Sequence, residues 1–190
     1  MDPRVARTRA SLQDALVELA RERSLDATTI GDIVQRAGVN RSSFYQHYPD
    51  KETLLADALE RALDEVAEPL RAAPRDGALP AMPRELLQYL EHIAANAALY
   101  RRVLGDHGSA LVAARLRARI ELTVRDTVGL AHPDVFADLP IDVVGAGIAG
   151  TALGVITAWV SRDPLPPVEM AAYWLWRVLV GPGLSWPTAP

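Results

Sequence analysis

The chain has no cysteine, one lysine among its 20 basic residues, only two phenylalanines, and no excess of positive charge. The missing cysteine excludes disulfides and thiolate metal sites and fits a reducing compartment. Net charge is −4, and the first 64 residues carry 9 basic against 11 acidic side chains. No bulk basic field therefore marks a nucleic-acid binder, and any DNA surface has to be local. The stretch MDPRVARTRASLQDAL lacks an uninterrupted hydrophobic run, so no signal peptide is expected and the cytoplasm is the default location. A GxSxG elbow, an HExxH pair, a phosphate-binding glycine loop and a Rossmann fingerprint are all missing, and His47, His92, His107 and His132 are scattered. No enzyme, metal site or cofactor is expected. DHGS at 106–109 sets Asp, His and Ser side by side, but neighbouring residues point apart, and Ser109 reads as a helix-start cap.

Apolar residues make up 49% and charged residues 23% of the 190 positions, a composition that folds, with length for one large core or two small ones. Sustained period-2 alternation is absent, whereas apolar spacings of three and four recur, so the class is all-α. Leu12, Ala15, Leu16 and Leu19 keep one face of a first helix, and Ile30, Ile33, Val34 and Ala37 keep one face of a second, placed at about 29–36. Gly38 suits a tight helix end and Asn40 a cap for the next helix, so helix, four-residue turn and helix follow within about 20 residues. A long helix is expected from Asp50 towards Leu70, with Leu55, Leu59, Ala62, Val66 and Leu70 along one side. The stretch PLRAAPRDGALPAMP (69–83) is the strongest breaker region, and further helices are expected near 84–97, 99–104, 109–130, 141–160 and 168–180. About nine helices result, organised as a head (1–50), a linking helix (about 50–70), and a body within 51–190.

GVNRSSFYQHYPDK (38–51) crowds Phe44, Tyr45, His47, Tyr48 and the lone Lys51 into eight positions. Two short helices around a glycine turn form a helix-turn-helix, whose second helix fits the DNA major groove. Phe44 and Tyr48, four apart, can close a small core against Ile33 and Val39, leaving Ser42, Ser43, Tyr45, Gln46 and His47 mostly on other faces. Lys51 sits in the first turn of a helix, where the macrodipole disfavours a cation unless an anion such as phosphate lies close to both.

The run TTIGDIVQRAGVNRSSFYQHYPDKETLL (28–55) resembles the DNA-binding head of TetR-type transcriptional regulators, in its TT–I–DI–AGV run, its FY–HY cluster and its DKE–L. The resemblance covers roughly residues 5–55. It implies a three-helix head, with Arg41, Ser42, Ser43 and Gln46 facing the groove, Tyr45 and His47 holding phosphates, and Thr28, Thr29 and Lys51 fixing the head on the backbone. Arg41 would suit a guanine edge and Gln46 an adenine edge. The plainer alternative is that Tyr45 and His47 are surface residues and that Lys51 pairs with an acidic neighbour. Arg4, Arg7 and Arg9 fit either an N-terminal arm on DNA or a solvated tail. The family pattern further implies a homodimer on a palindromic double-stranded operator, acting most often as a repressor released by a small-molecule effector.

VVGAGIAGTALGVITAWV (143–160) carries no charge for 18 positions, which is just enough to raise a membrane span. Four glycines and two threonines lower its hydrophobicity and no second span accompanies it, so burial at a subunit interface is preferred to a membrane or scaffold role. Gly147, Gly150 and Gly154, with Met170, Trp174 and Val178 of the last helix, are the expected dimer residues. Tyr89, His92, Tyr100, Phe136 and Trp159 are candidates for an effector cavity between body helices; core packing is the alternative for each.

Overall fold

Capping decides where the short helices of the head begin and end. A computed structural model describes residues 3–72, 84–131 and 138–180, which leaves the breaker stretch from 73 to 83 and Phe136 outside it. Among the described residues there are nine helices and no strand: α1 (Pro3–Glu22), α2 (Ile30–Ala37), α3 (Arg41–His47), α4 (Lys51–Ala72), α5 (Arg84–Ala95), α6 (Ala97–Leu104), α7 (Ala110–Ala131), α8 (Ile141–Val160) and α9 (Val168–Val180). Helix α2 starts at Ile30, one residue later than the expected 29, because Thr29 is the cap. Its hydroxyl accepts from the Asp32 amide while the Asp32 carboxylate accepts from the Thr29 amide, a reciprocal capping box. Gly38 ends α2 with φ 66°, a left-handed conformation that a side chain would strain. Asn40 then caps α3 by accepting from the Ser43 amide at 2.7 Å, and Asp50 caps α4 through the Thr53 amide at 2.7 Å.

In the body, α5 ends at Ala95 and α6 begins at Ala97, two residues before the expected start, so Asn96 alone makes the corner. The turn after α6 needs Gly108, where a Cβ would stand 2.2 Å from the Val103 carbonyl oxygen. Ser109 does cap α7, its hydroxyl accepting from the Val112 amide at 3.0 Å. Helices α8 and α9 keep the expected bounds.

Leu12, Leu16, Ile33, Phe44, Leu54 and Leu59 of the head and linking helix share one hydrophobic cluster with Leu90, Ile93, Tyr100, Leu116 and Trp159 of the body. Each such side chain, fully buried, stabilises by roughly 1.5–3 kcal/mol. Helix α1 packs against α2, α4 and α6, so the head is seated on the body through its first helix. Helix α8 is long and apolar enough to cross a membrane. Only 44% of its most apolar window is buried within the chain, although it packs against α6, α7 and α9.

Candidate nucleic-acid interface

Helices α2 and α3, joined by the Gly38 turn, form the helix-turn-helix, and α3 divides its side chains sharply. Phe44 is fully buried, while Arg41, Ser42, Tyr45 and Gln46 are exposed on the outer face and Ser43 and His47 are half-buried. The Ser42 hydroxyl donates to the Asn40 side chain at 2.6 Å, and Gln46 has no hydrogen-bond partner among the described residues. The Arg41 guanidinium lies over the Tyr45 ring, 5.8 Å from its centroid. A short exposed helix with amide, hydroxyl and guanidinium groups on one side has the chemistry of base-edge readout.

The remaining expected contacts have other occupations. Thr28 is 1% exposed and its hydroxyl donates to the Ser24 carbonyl at 3.1 Å. The Thr29 hydroxyl donates to Asp32 at 2.6 Å, and this bond, then its amide bond, hold the Asp32 carboxyl down at about 2. Both threonine hydroxyls thus already donate within the chain, Thr28 from a buried position and Thr29 at the start of α2. Lys51 forms no ion pair among the described residues, although its charge helps Arg102 to hold the nearby Asp26 carboxyl below its ordinary value. Its ammonium donates to the carbonyls of Leu25 and Thr28 at 2.7 and 2.8 Å. The cation that looked misplaced at a helix start is met by the carbonyls of the α1–α2 turn, with one N–H left for an outside acceptor.

A polar network below α3 was not legible in the sequence. Asp57 of α4 accepts from Tyr48 at 2.6 Å, Gln13 at 2.8 Å and Arg9 at 2.5 Å on one oxygen, and from Arg115 of α7 at 3.1 Å on the other. Burial alone would raise the Asp57 carboxyl, but hydrogen bonds from Tyr48, Arg9 and Arg115 outweigh it and hold it below its ordinary value. Burial and the Asp57 charge push the Tyr48 hydroxyl up to about 12. Arg9 is thus a structural residue rather than a free arm. Arg115 also grips Glu60, and Arg119 grips Asp64, so α7 is strapped to the helix that carries Lys51. Gln13, a buried polar residue inside an apolar stripe, was the one sequence hint of such a network.

Three of the five effector candidates come together. His92 stacks on Tyr89 with centroids 6.2 Å apart and meets Tyr100 edge-on at 5.9 Å, and the two tyrosine hydroxyls lie 3.5 Å apart. The His92 Nε2 is buried without a hydrogen-bond partner among the described residues, and burial, helped by Arg21, lowers its pKa and so favours the neutral ring. Trp159 is fully buried and its indole N–H donates to the Pro166 carbonyl at 2.9 Å, a core role; Phe136 lies outside the described residues. One cleft of about 180 Å³ opens between the α1–α2 turn, the start of α4 and the end of α6, and one of about 320 Å³ between α1 and α4; neither is lined by the aromatic trio. Asn96 links the trio to the head: its amide donates to the His92 carbonyl at 2.7 Å and its oxygen accepts from Arg21 of α1 at 2.7 Å. It precedes α6 without capping it, since both ends of its side chain are used elsewhere.

The expected dimer residues also separate. Gly147, Gly154, Met170 and Val178 are exposed, Val178 by 60%, on adjoining helices α8 and α9. Gly150 instead faces its own chain, where a Cβ would touch Arg117, and Trp174 packs on the core with the Arg162 guanidinium 4.7 Å above its ring. Among the described residues no group of three or more His, Asp or Glu is placed to hold a metal ion.

Residues 12–58 match the family model for bacterial regulatory proteins of the tetR family. Over 74 residues the chain is 38% identical to YxbF of Bacillus subtilis (strain 168), an uncharacterized HTH-type transcriptional regulator, a stretch making up 38% of this chain and 20% of that protein. Over 58 residues it is 38% identical to KstR2 of Rhodococcus jostii (strain RHA1), an HTH-type transcriptional repressor, covering 30% of this chain and 28% of that protein. The chain therefore matches less than a third of the length of either curated relative. The fold likeness reaches further. The solved structure of Thermus thermophilus FadR, a repressor in complex with lauroyl-CoA, aligns with a TM-score of 0.61 over 96% of this chain and 98% of that one, at 21% identity.

Proposed function

We propose that this chain, whose residues 12–58 match the tetR family model, is a one-component transcriptional regulator of that family: a cytoplasmic homodimer that represses from a palindromic operator and is released by a small molecule. The observation that carries this reading is the outer face of α3, where Arg41, Ser42, Tyr45 and Gln46 stand clear of the core. With a net charge of −4, affinity has to come from this surface together with the third N–H of Lys51 and, at the end of α3, His47. The test is selection of duplexes from a random pool by the full-length chain. A palindromic sequence should emerge, with half-sites about one helical turn apart and binding that weakens steeply with salt. Recovery of no preferred sequence defeats the proposal.

Dimerisation is proposed through the exposed apolar face of α8 and α9. A Cβ at Gly147 or Gly154 meets nothing within 4 Å, so a larger residue fits the isolated subunit. Gly154→Leu should even favour the helix by up to about 1 kcal/mol through propensity. If a second copy lies against this face, the same substitution should raise the dimer dissociation constant at least tenfold while circular dichroism stays unchanged. Light scattering behind a sizing column measures it, and a dimer that persists would place the interface elsewhere.

For the effector, the proposal centres on Tyr89, His92 and Tyr100. These side chains are closely packed, so a ligand would have to part them, and the unpartnered His92 Nε2 supplies an acceptor for a ligand hydroxyl or N–H. Displacing His92 would move the carbonyl that Asn96 holds, and Asn96 in turn holds Arg21 of the head. A coupling of a few kcal/mol along this link suffices, since 1.4 kcal/mol is tenfold in affinity.

A further inference from the structure

We propose that Tyr45 aims Arg41: its ring is the platform that presents the guanidinium to one guanine of each half-site. Tyr45 is then a positioning residue for base readout in addition to any contact with a phosphate. The inference rests on the DNA-binding reading above and adds a specificity role to it.

Arginine at the first position of α3 faces two difficulties. The helix dipole is unfavourable to a cation there, and the long side chain has much rotamer freedom to lose on binding. Elsewhere in the head, arginine side chains are held by carboxylates: Arg9 pairs with Asp57, Arg23 with Asp32, and Arg36 with Glu18 and Glu22. Arg41 has no carboxylate among the described residues, and its partner is Tyr45, four residues on and so on the same helical face. The guanidinium lies 5.8 Å from the ring centroid, within cation–π range, and its Nη2 donates weakly to the ring hydroxyl at 3.4 Å.

The platform is itself fixed. Tyr45 is 50% exposed, yet its ring meets the fully buried Phe44 edge-on, with centroids 5.3 Å apart and planes at 82°. The core thus orients Tyr45, and Tyr45 orients Arg41. A carboxylate partner would occupy the guanidinium fork. An aromatic face steers it and leaves its N–H groups available for the O6 and N7 of guanine.

The experiment compares base preferences of four full-length proteins on a random duplex pool: the natural chain, Arg41→Ala, Tyr45→Phe and Tyr45→Ala. Expected is a guanine preference on the order of tenfold at one half-site position in the natural chain. Arg41→Ala should abolish it, Tyr45→Phe should keep it because the ring remains, and Tyr45→Ala should lose it at the same position. A Tyr45→Ala protein that keeps the guanine preference while binding all sequences more weakly overturns the proposal and leaves Tyr45 a phosphate contact. A Tyr45→Phe protein as indiscriminate as Tyr45→Ala overturns it too, as does a natural chain that binds a preferred sequence with no guanine lost in Arg41→Ala. A natural chain that selects no sequence removes the regulator reading itself.

Discussion

Asp57→Ala should lower the stability of the whole chain by about 3 kcal/mol at neutral pH, because it removes the common acceptor of a largely buried network. Tyr48, Gln13, Arg9 and Arg115 all donate to this one carboxylate. Without it, the buried Tyr48 hydroxyl loses its acceptor, the Gln13 amide keeps only its bond to that hydroxyl, and Arg9 loses its carboxylate. The pH dependence separates this from a simple packing defect. The Asp57 carboxyl is held below its ordinary value in the folded chain, so its contribution is fully present above the unfolded value of about 4. It is lost as pH falls through the lower folded value. Natural and variant proteins should therefore differ in denaturation midpoint at pH 7 and converge as the pH drops below about 4. Asp32, held at about 2 by Thr29, titrates in the same direction but is present in both proteins and cancels in the comparison. An equal gap at pH 7 and pH 3 would rule out the charge network as the cause. Because Arg115 belongs to α7 and Arg9 to α1, the variant should also weaken the seating of the head.

The parts of this molecule that were legible in the sequence depend on local spacing. The left-handed Gly38, the Asn40 cap and the division of α3 into buried Phe44 and an exposed polar face all involve residues within four positions of each other. The bounds of α8 and α9 follow the same logic, since proline and the end of an apolar run mark them. What could not be read links residues far apart along the chain. Asp57 gathers donors from positions 9, 13, 48 and 115, and Asn96 joins position 21 to position 92. Periodicity says that a face is apolar or polar but not which partner meets it. The same limit explains Gly150 and Trp174. Both lie on stripes that helical spacing assigns to an outer face, and the rotation of each helix against its neighbours turns them towards Arg117 and Arg162.

Lys51 shows the limit most clearly, and its replacement tests both halves of the interface. A cation in the first turn of α4 calls for negative charge nearby, and in sequence the only evident candidate is a DNA phosphate or an acidic side chain. In the folded chain the carbonyls of Leu25 and Thr28 take two of its three N–H groups, so the ammonium clamps the α1–α2 turn to the start of α4. Lys51→Ala should therefore lower stability by about 1–3 kcal/mol, the effect of leaving carbonyls without their charged donor. It should also weaken DNA binding by about tenfold or more, since the third N–H is the one available to a phosphate. Lys51→Gln separates the two effects: its amide can still reach one carbonyl, but it carries no charge. In Lys51→Gln the stability should partly recover, while the slope of log affinity against log salt should remain lower by about one contact, as in Lys51→Ala. If both variants bind DNA more weakly with the natural salt slope intact, Lys51 acts by holding the turn alone, and the phosphate contact belongs to another residue. If the slope falls in both, the sole lysine of the chain does two tasks at once: backbone carbonyls fix where its charge sits, and that placement brings the charge to the DNA.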